Sequence, residues 1–119
     1  MTKGLVVLGF GGHARSVADV ALAVGYAQLY FVDDNARPGE NFLGHPVGRT
    51  IDHLDLEGWD FIPALGDNHR RSQQFEQIER LGGSLVSVVS PLASLGAGSV
   101  VSAGCFVGHH AHIGPMARI

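Results

Sequence analysis

The sequence predicts an α/β fold, an open parallel sheet flanked by helices, followed by the start of a parallel β-helix. Three observations predict it. Apolar runs at residues 5–8, 29–32 and 85–89 alternate with segments whose apolar residues fall at helical spacing. The first run passes directly into Gly9-Phe10-Gly11-Gly12-His13-Ala14, a glycine-rich turn between strand and helix. At the carboxyl end an aliphatic residue returns every six positions, at Leu95, Val101, Val107, Ile113 and Ile119. A period of six fits neither the 3.6 of a helix nor the alternation of a lone strand; it is the hexapeptide period of a β-helix.

Residues 5–8 are too few for a helix and apolar throughout, as in a parallel strand buried on both faces. Val17, Val20, Ala21 and Val24 then mark the inner stripe of a helix that Gly25 caps. A second strand at Leu29–Val32 ends on Asp33-Asp34. Between residues 35 and 48 Pro and Gly indicate loop, with room for a short strand around Pro46-Val47. Residues 59–65 read as a strand despite Pro63. Gly66-Asp67-Asn68 turns into a helix carrying Phe75, Ile78 and Leu81, which Gly82-Gly83 ends. Residues 85–89 form one more buried strand, and Ser90-Pro91 marks the boundary. The chain thus divides into an α/β domain at 1–90 and a first β-helix coil at 91–119. Alternating strands and helices imply right-handed crossovers.

In the hexapeptide stretch the residue after each aliphatic is small (Gly96, Ser102, Gly108, Gly114), and so is the one four places on (Ser99, Cys105, Ala111, Ala117). Three repeats make one triangular coil with its aliphatic residues inward. A solenoid needs about three stacked units for stability, and little more than one coil is present, so the sequence reads as part of a longer array.

Composition narrows the functions. A formal charge of −3 with no Lys/Arg run argues against nucleic acid or an anionic membrane surface as partner. Cys105, the sole cysteine, excludes an intramolecular disulfide and suits a reducing, cytoplasmic compartment. The first apolar run breaks at Gly9, Gly11 and Gly12, so it is neither a signal peptide nor a membrane span.

In open parallel sheets ligands lie at the carboxyl ends of the strands, where strand order switches. Three polar loops converge there: residues 9–14, 33–35 and 66–68. The turn Gly9, Phe10, Gly11, Gly12, His13, Ala14 satisfies G-x-G-x-x-A. Its glycines admit a phosphate close to the backbone, and the helix N-terminus offers free N–H groups to an anion. Nicotinamide dinucleotides and nucleotide sugars both suit such a cradle. His13 lies within the turn, where its ring reaches a phosphate or sugar oxygen. At least one of Asp33 and Asp34 is expected to accept hydrogen bonds from ribose or base. Gly66, Asp67 and Asn68 form a helix N-cap and a candidate wall of the nucleotide pocket. His109, His110 and His112 cluster, but with Cys105 inward and no convergent carboxylate no metal site is assigned.

The succession Gly11-Gly12-His13-Ala14, Phe31-Val32-Asp33-Asp34, Ala64-Leu65-Gly66-Asp67-Asn68 and then hexapeptide repeats resembles the sialic acid O-acetyltransferase and PglD-like sugar N-acetyltransferase family. The resemblance covers essentially the whole chain. It implies a Rossmann-like domain that binds a UDP-sugar, followed by a left-handed β-helix that trimerises and binds acetyl-CoA. Residues 9–13 would hold phosphate and sugar, Asp33 and Asp34 would line the uridine region, and residues 66–68 would complete the pocket. Ala14 stands where members usually have glycine. The family's general-base histidine lies further along than Ile119, so the resemblance assigns no catalytic residue here, and this stretch alone is expected to bind the nucleotide sugar without acetylating it. Two other readings stand beside it: an NAD-dependent oxidoreductase, for which the hexapeptide register would be an accident, and a UDP-sugar-binding module without chemistry.

Overall fold

The computed structural model describes residues 2–50, 57–64 and 68–119, with residues 68–71 described by backbone alone. The first apolar run becomes strand β1 (Gly4–Leu8), and the glycine turn leads into helix α1 (Gly12–Val24). Gly25 ends that helix in the left-handed region at φ +120°, its N–H donating to the Ala21 and Leu22 carbonyls. Strand β2 (Leu29–Val32) follows, then a hairpin of β3 (Asn41–Phe42) and β4 (His45–Gly48), then β5 (Trp59–Pro63), helix α2 (Asn68–Arg80) and β6 (Ser84–Leu85). These strands form one sheet in the order β3-β4-β2-β1-β5-β6, parallel except for the hairpin pair. Strand order switches at β1: β2 and β4 lie on one side of it, β5 and β6 on the other.

Both faces of β1 are covered, as its apolar run requires. Leu5 and Val7 join Val17, Ala21, Phe31 and Ile62 in one cluster, on the face that α1 covers. Val6 and Leu8 join Phe61 and Ile78 in the other, under α2. Pro63 costs the sheet nothing because it is the last strand residue, paired with Leu8, and the next N–H, that of Ala64, donates to the Leu8 carbonyl.

The coil shows its hexapeptide period in the backbone. Strand β7 (Val88–Val89) pairs with β9 (Phe106–Val107), β8 (Ser94–Leu95) with β10 (His112–Ile113), and Val100 bridges to Arg118. Each pairing is parallel and joins residues eighteen apart, so three hexapeptides make one turn and the next turn stacks in register. The corners recur with the same period: Gly98, Gly104, His110 and Met116 all take positive φ, between 62° and 83°. Gly96 sits where turns stack, and a Cβ there would collide with the Pro115 and Gly114 backbone.

Four expectations change. Residues 85–89 are not one strand: Leu85 pairs with β5, while Val88–Val89 belongs to the coil, the chain changing partners at Val86, whose N–H donates to Phe61 and whose carbonyl accepts from Gly104. Residues 35–48 are not loop apart from one strand: the short strand expected around Pro46-Val47 is present as β4, and it pairs with β3 in a hairpin that the loop reading did not include. Leu81 lies beyond the helix end and is exposed, so Ile78 is the fully buried anchor of α2. Val24 is 48% exposed, in the last turn of α1.

Helix α1 is the hinge plate between the two parts. Val88 is buried in the same cluster as Val17 and Ala18, and Phe106 packs against it. On the other helix, Phe75 abuts Gly104, where a Cβ would come within 2.7 Å of its ring. His109 clasps the joint: Nδ1 is 2.5 Å from the Ser90 hydroxyl, and Nε2 is 3.4 Å from the Asp19 carboxylate on α1.

At the amino end of the sheet, Tyr26 donates its hydroxyl to Asp60 at 2.7 Å. Burial, then that hydrogen bond and the Asp60 charge, raise the phenol above its ordinary range. Among the described residues no helix is long and apolar enough to cross a membrane.

Candidate functional site

The carboxyl ends of β1, β2 and β4 lie side by side, and the polar residues that follow them form one cluster. The β1 turn is drawn onto β2: the Gly9 N–H donates to the Val32 carbonyl at 2.7 Å, and the Phe10 N–H donates to Asp33 Oδ2 at 3.1 Å. The other Asp33 oxygen accepts the Asn35 N–H at 2.8 Å. Both oxygens of this carboxylate thus brace the backbone, one across strands and one within its own turn. Asp34 differs: it is exposed, and no described residue bonds its carboxylate.

The glycines of the turn have separate tasks. Gly9 sits at φ +135°, where a side chain would be strained. Gly11 has φ −89° and ψ −167°, extended backbone that any residue adopts, and a Cβ built there would meet nothing within 4 Å. The fold therefore makes no demand for glycine at 11. Gly11 is also the N-cap of α1 and supplies no side-chain hydrogen bond, and the first turn holds no acidic residue. The first intrahelical bond runs from the Arg15 N–H to the Gly11 carbonyl at 3.1 Å. That leaves the N–H groups of Gly12, His13 and Ala14 without an intrahelical partner at the positive end of the dipole; Gly12 and His13 are exposed, whereas Ala14 is buried in the core.

Aromatic and basic side chains border this cradle. Phe10 meets Phe31 edge-on at 5.0 Å and Phe42 at 6.5 Å, and the Arg15 guanidinium lies 4.8 Å over the Phe10 ring. His13 is exposed and turns toward the coil, its ring edge-on to Phe106 at 5.4 Å. Arg49 follows β4, with its Nε donating to the Ala36 carbonyl at 2.9 Å. From the α2 side, Gln74 donates Nε2 to the Leu8 carbonyl at 3.1 Å, and its buried Oε1 has no partner among the described residues. A buried acceptor without a donor is uncommon, and beside the end of β1 it is a ready acceptor for a ligand hydroxyl.

Of the residues singled out in the sequence, the structure brings together Gly9, Phe10, Gly11, Gly12, His13, Asp33 and Asp34. Gly66 and Asp67 lie outside the described residues, and Asn68 opens α2 with only its backbone described. Arg49 and Gln74 escaped sequence reasoning. Arg49 had a signal, since a basic residue directly after a strand lands on the carboxyl edge of the sheet. Gln74 had none, because nothing local separates it from the polar face of its helix.

The histidines resolve into structural roles. His109 is committed to Ser90 and Asp19. His110 occupies a left-handed corner at φ +62°. Among the described residues no group of three His, Cys, Asp or Glu is placed to hold a metal. Ser90, His109 and Asp19 have the composition of a hydrolase relay but not its arrangement. Ser90 is 3% exposed and its hydroxyl already accepts the Leu92 N–H, so it is withheld from any substrate.

Residues 4–78 match the family described as PglD N-terminal domain. Among solved structures, the chain is similar to the acetyltransferase domain of PglB from Neisseria gonorrhoeae FA1090, with 33% identity and a TM-score of 0.81 over 91% of this chain and 54% of that one. A structure of that domain in complex with acetyl coenzyme A matches with 29% identity and a TM-score of 0.82, over 100% of this chain and 62% of that one. PerB from Caulobacter crescentus, in complex with CoA and GDP-perosamine, matches with 28% identity and a TM-score of 0.78, over 100% of this chain and 57% of that one. The chain thus spans between 54% and 62% of the length of these structures.

Proposed function

The chain belongs to the PglD N-terminal domain family, and on that premise we propose that it carries the sugar-nucleotide-binding part of an acetyl-CoA-dependent sugar N-acetyltransferase. The substrate is a nucleotide-activated amino sugar, UDP-linked in the finer reading, and the protein acts in the cytoplasm. The relatives' complexes with acetyl-CoA and with CoA and GDP-perosamine support both halves of the reaction.

The observation that carries this reading is Gly11. It is a glycine that neither backbone conformation nor packing requires, set at the uncapped N-terminus of a thirteen-residue helix under open space. A diphosphate fills that space, its oxygens accepting the exposed N–H groups of Gly12 and His13. Gly9 provides the turn, and Asp33 fixes the turn to β2 through Phe10. Asp34 faces the nucleoside, and by the family resemblance Gly66, Asp67 and Asn68 are assigned to the same pocket. His13, between cradle and coil, reaches the sugar. Acyl transfer also needs the amine held in line with the thioester and a base to take its proton. No residue of this chain is assigned that base, and His109 is already committed to Ser90 and Asp19.

The same proposal includes assembly as a homotrimer through the β-helix. The coil's exposed Leu92 and Val100, which lie outside the inward six-residue register, support it. An oxidoreductase reading leans on Asp33 for the ribose, and both oxygens of Asp33 are already bonded to backbone N–H groups.

Calorimetric titration with UDP, UDP-N-acetylglucosamine and NAD tests the assignment. The uridine ligands are expected to bind and NAD not to. Gly11→Val is expected to lower uridine-ligand affinity by about tenfold or more, since about 1.4 kcal/mol of lost anion contact is tenfold, while circular dichroism and melting temperature stay as in the parent. Binding of NAD alone, or full affinity in Gly11→Val, would overturn it.

A further inference from the structure

Arg49 lies on the same sheet edge as the proposed nucleotide cradle, yet the glycine turn makes no use of it. Strands β2 and β4 are parallel neighbours with Val32 opposite Gly48, and the Asp33 N–H donates to the Gly48 carbonyl at 2.9 Å. The next residues on the two strands, Asp33-Asp34 and Arg49, therefore emerge side by side at the carboxyl edge. The guanidinium is not free to wander. Its Nε donates to the Ala36 carbonyl, and the Ala36 N–H donates to the Asp33 carbonyl at 3.0 Å, so Arg49 is tied to the turn that carries Asp34. That bond uses one of five N–H donors, and the terminal amino groups have no partner among the described residues. Asp33 is half-buried and accepts at both oxygens, from Phe10 and Asn35, which leaves Asp34 as the exposed acceptor.

We propose that Arg49 is a specificity-determining residue that, with Asp34, reads the nucleobase and selects the oxo-bases uracil and guanine over the amino-bases cytosine and adenine. This rests on the sugar-nucleotide reading above. Strand order gives the polarity. The phosphate lies at β1, Asp34 follows β2 and Arg49 follows β4, two strand spacings or roughly 9–10 Å from β1. A nucleotide running outward from β1 brings the inner part of its base edge to Asp34 and its distal exocyclic group to Arg49. In uracil those groups are the N3–H donor and the O4 acceptor; in guanine they are N1–H and O6. A carboxylate accepts the first and a guanidinium donates to the second. Cytosine and adenine reverse both: their exocyclic group is an amine that faces a guanidinium, and their ring nitrogen is an acceptor that faces a carboxylate. Each mismatch leaves a donor against a donor or an acceptor against an acceptor.

The test is titration of the 119-residue chain with UDP, GDP, CDP and ADP, for the parent, Arg49→Ala and Arg49→Lys, with a melting curve for each variant. The parent is expected to bind UDP and GDP roughly 10- to 100-fold tighter than CDP and ADP, the range a bidentate base contact confers. Arg49→Ala should lose that preference by weakening UDP and GDP alone, and Arg49→Lys, which has charge without the fork, should recover only part of it. Arg49 is exposed, so the melting temperature should not move. Equal affinity for all four diphosphates in the parent would overturn this inference and leave the sugar-nucleotide reading standing. So would a uniform loss of all four in Arg49→Ala, which would make Arg49 a phosphate contact. Failure of the parent to bind any of the four would remove the sugar-nucleotide reading and this inference together.

Discussion

In the sheet, Leu5, Val6 and Val7 are 0% exposed; in the coil, Leu95 and Ile119 are 48% and 41% exposed, although all five are aliphatic residues whose pattern points them at a core. The difference lies in what covers them. Strand β1 has a strand on either side and a helix over each face, so alternate residues find cover whichever way they point. The coil has cover only where it meets the α/β part, and there Val88 and Val107 are 2% and 3% exposed. Aliphatic character sets where a side chain is directed, and neighbours decide whether it is buried.

The contrast breaks most sharply at single side chains. Phe61→Ala empties a fully buried site in the sheet and should cost about 3–5 kcal/mol, whereas Leu95→Ala should cost under about 1 kcal/mol. Urea denaturation of both variants measures this, and equal losses would mean that the coil has a core of its own. Gly104→Val combines positive φ with a clash against Phe75, and should cost about 1–3 kcal/mol. Hydrogen exchange should show the loss concentrated in β7 and β9, and a uniform loss would show that the coil unfolds only with the sheet. The smallest effect belongs to the clasp: His109→Ala should cost about 1 kcal/mol, mostly through the Ser90 contact, because Asp19 is exposed. Thermal melting checks it, and a change above about 3 kcal/mol would make His109 a keystone of the joint.

The α/β part and the coil were legible for different reasons. Residues 5–8 and Gly25 are read correctly because the rule behind each is local: an all-apolar run needs cover on both faces, and a helix needs a residue at positive φ to stop. The coil period was legible because the eighteen-residue stacking repeats the same small-residue demand. Residues 85–89 were misjudged because one apolar run serves two sheets, and only the partners, Phe61 on one side and Cys105 on the other, reveal where it divides. At the candidate site the turn from β1 into α1 was legible from its glycines. The division of labour between Asp33 and Asp34 was not, since it depends on the Phe10 and Asn35 N–H groups arriving at Asp33. Arg49 could have been placed at the carboxyl edge from its position directly after a strand, but its nearness to Asp34 depends on strand order, and Gln74 is marked by no local pattern at all.

The eighteen-residue offset between paired coil strands also sets a grammar for length changes. Inserting or deleting eighteen residues returns every side to the one beneath it and changes the height by one strand spacing, about 4.8 Å. Six residues keep the alternation of inward and outward positions but rotate the triangle by one corner, so that Val107 would no longer stand above Val89. A number that is not a multiple of six breaks the inward register and throws aliphatic residues to the outside. Length changes along this part of the chain are thus quantised, with whole turns as the cheapest step and single residues as the dearest.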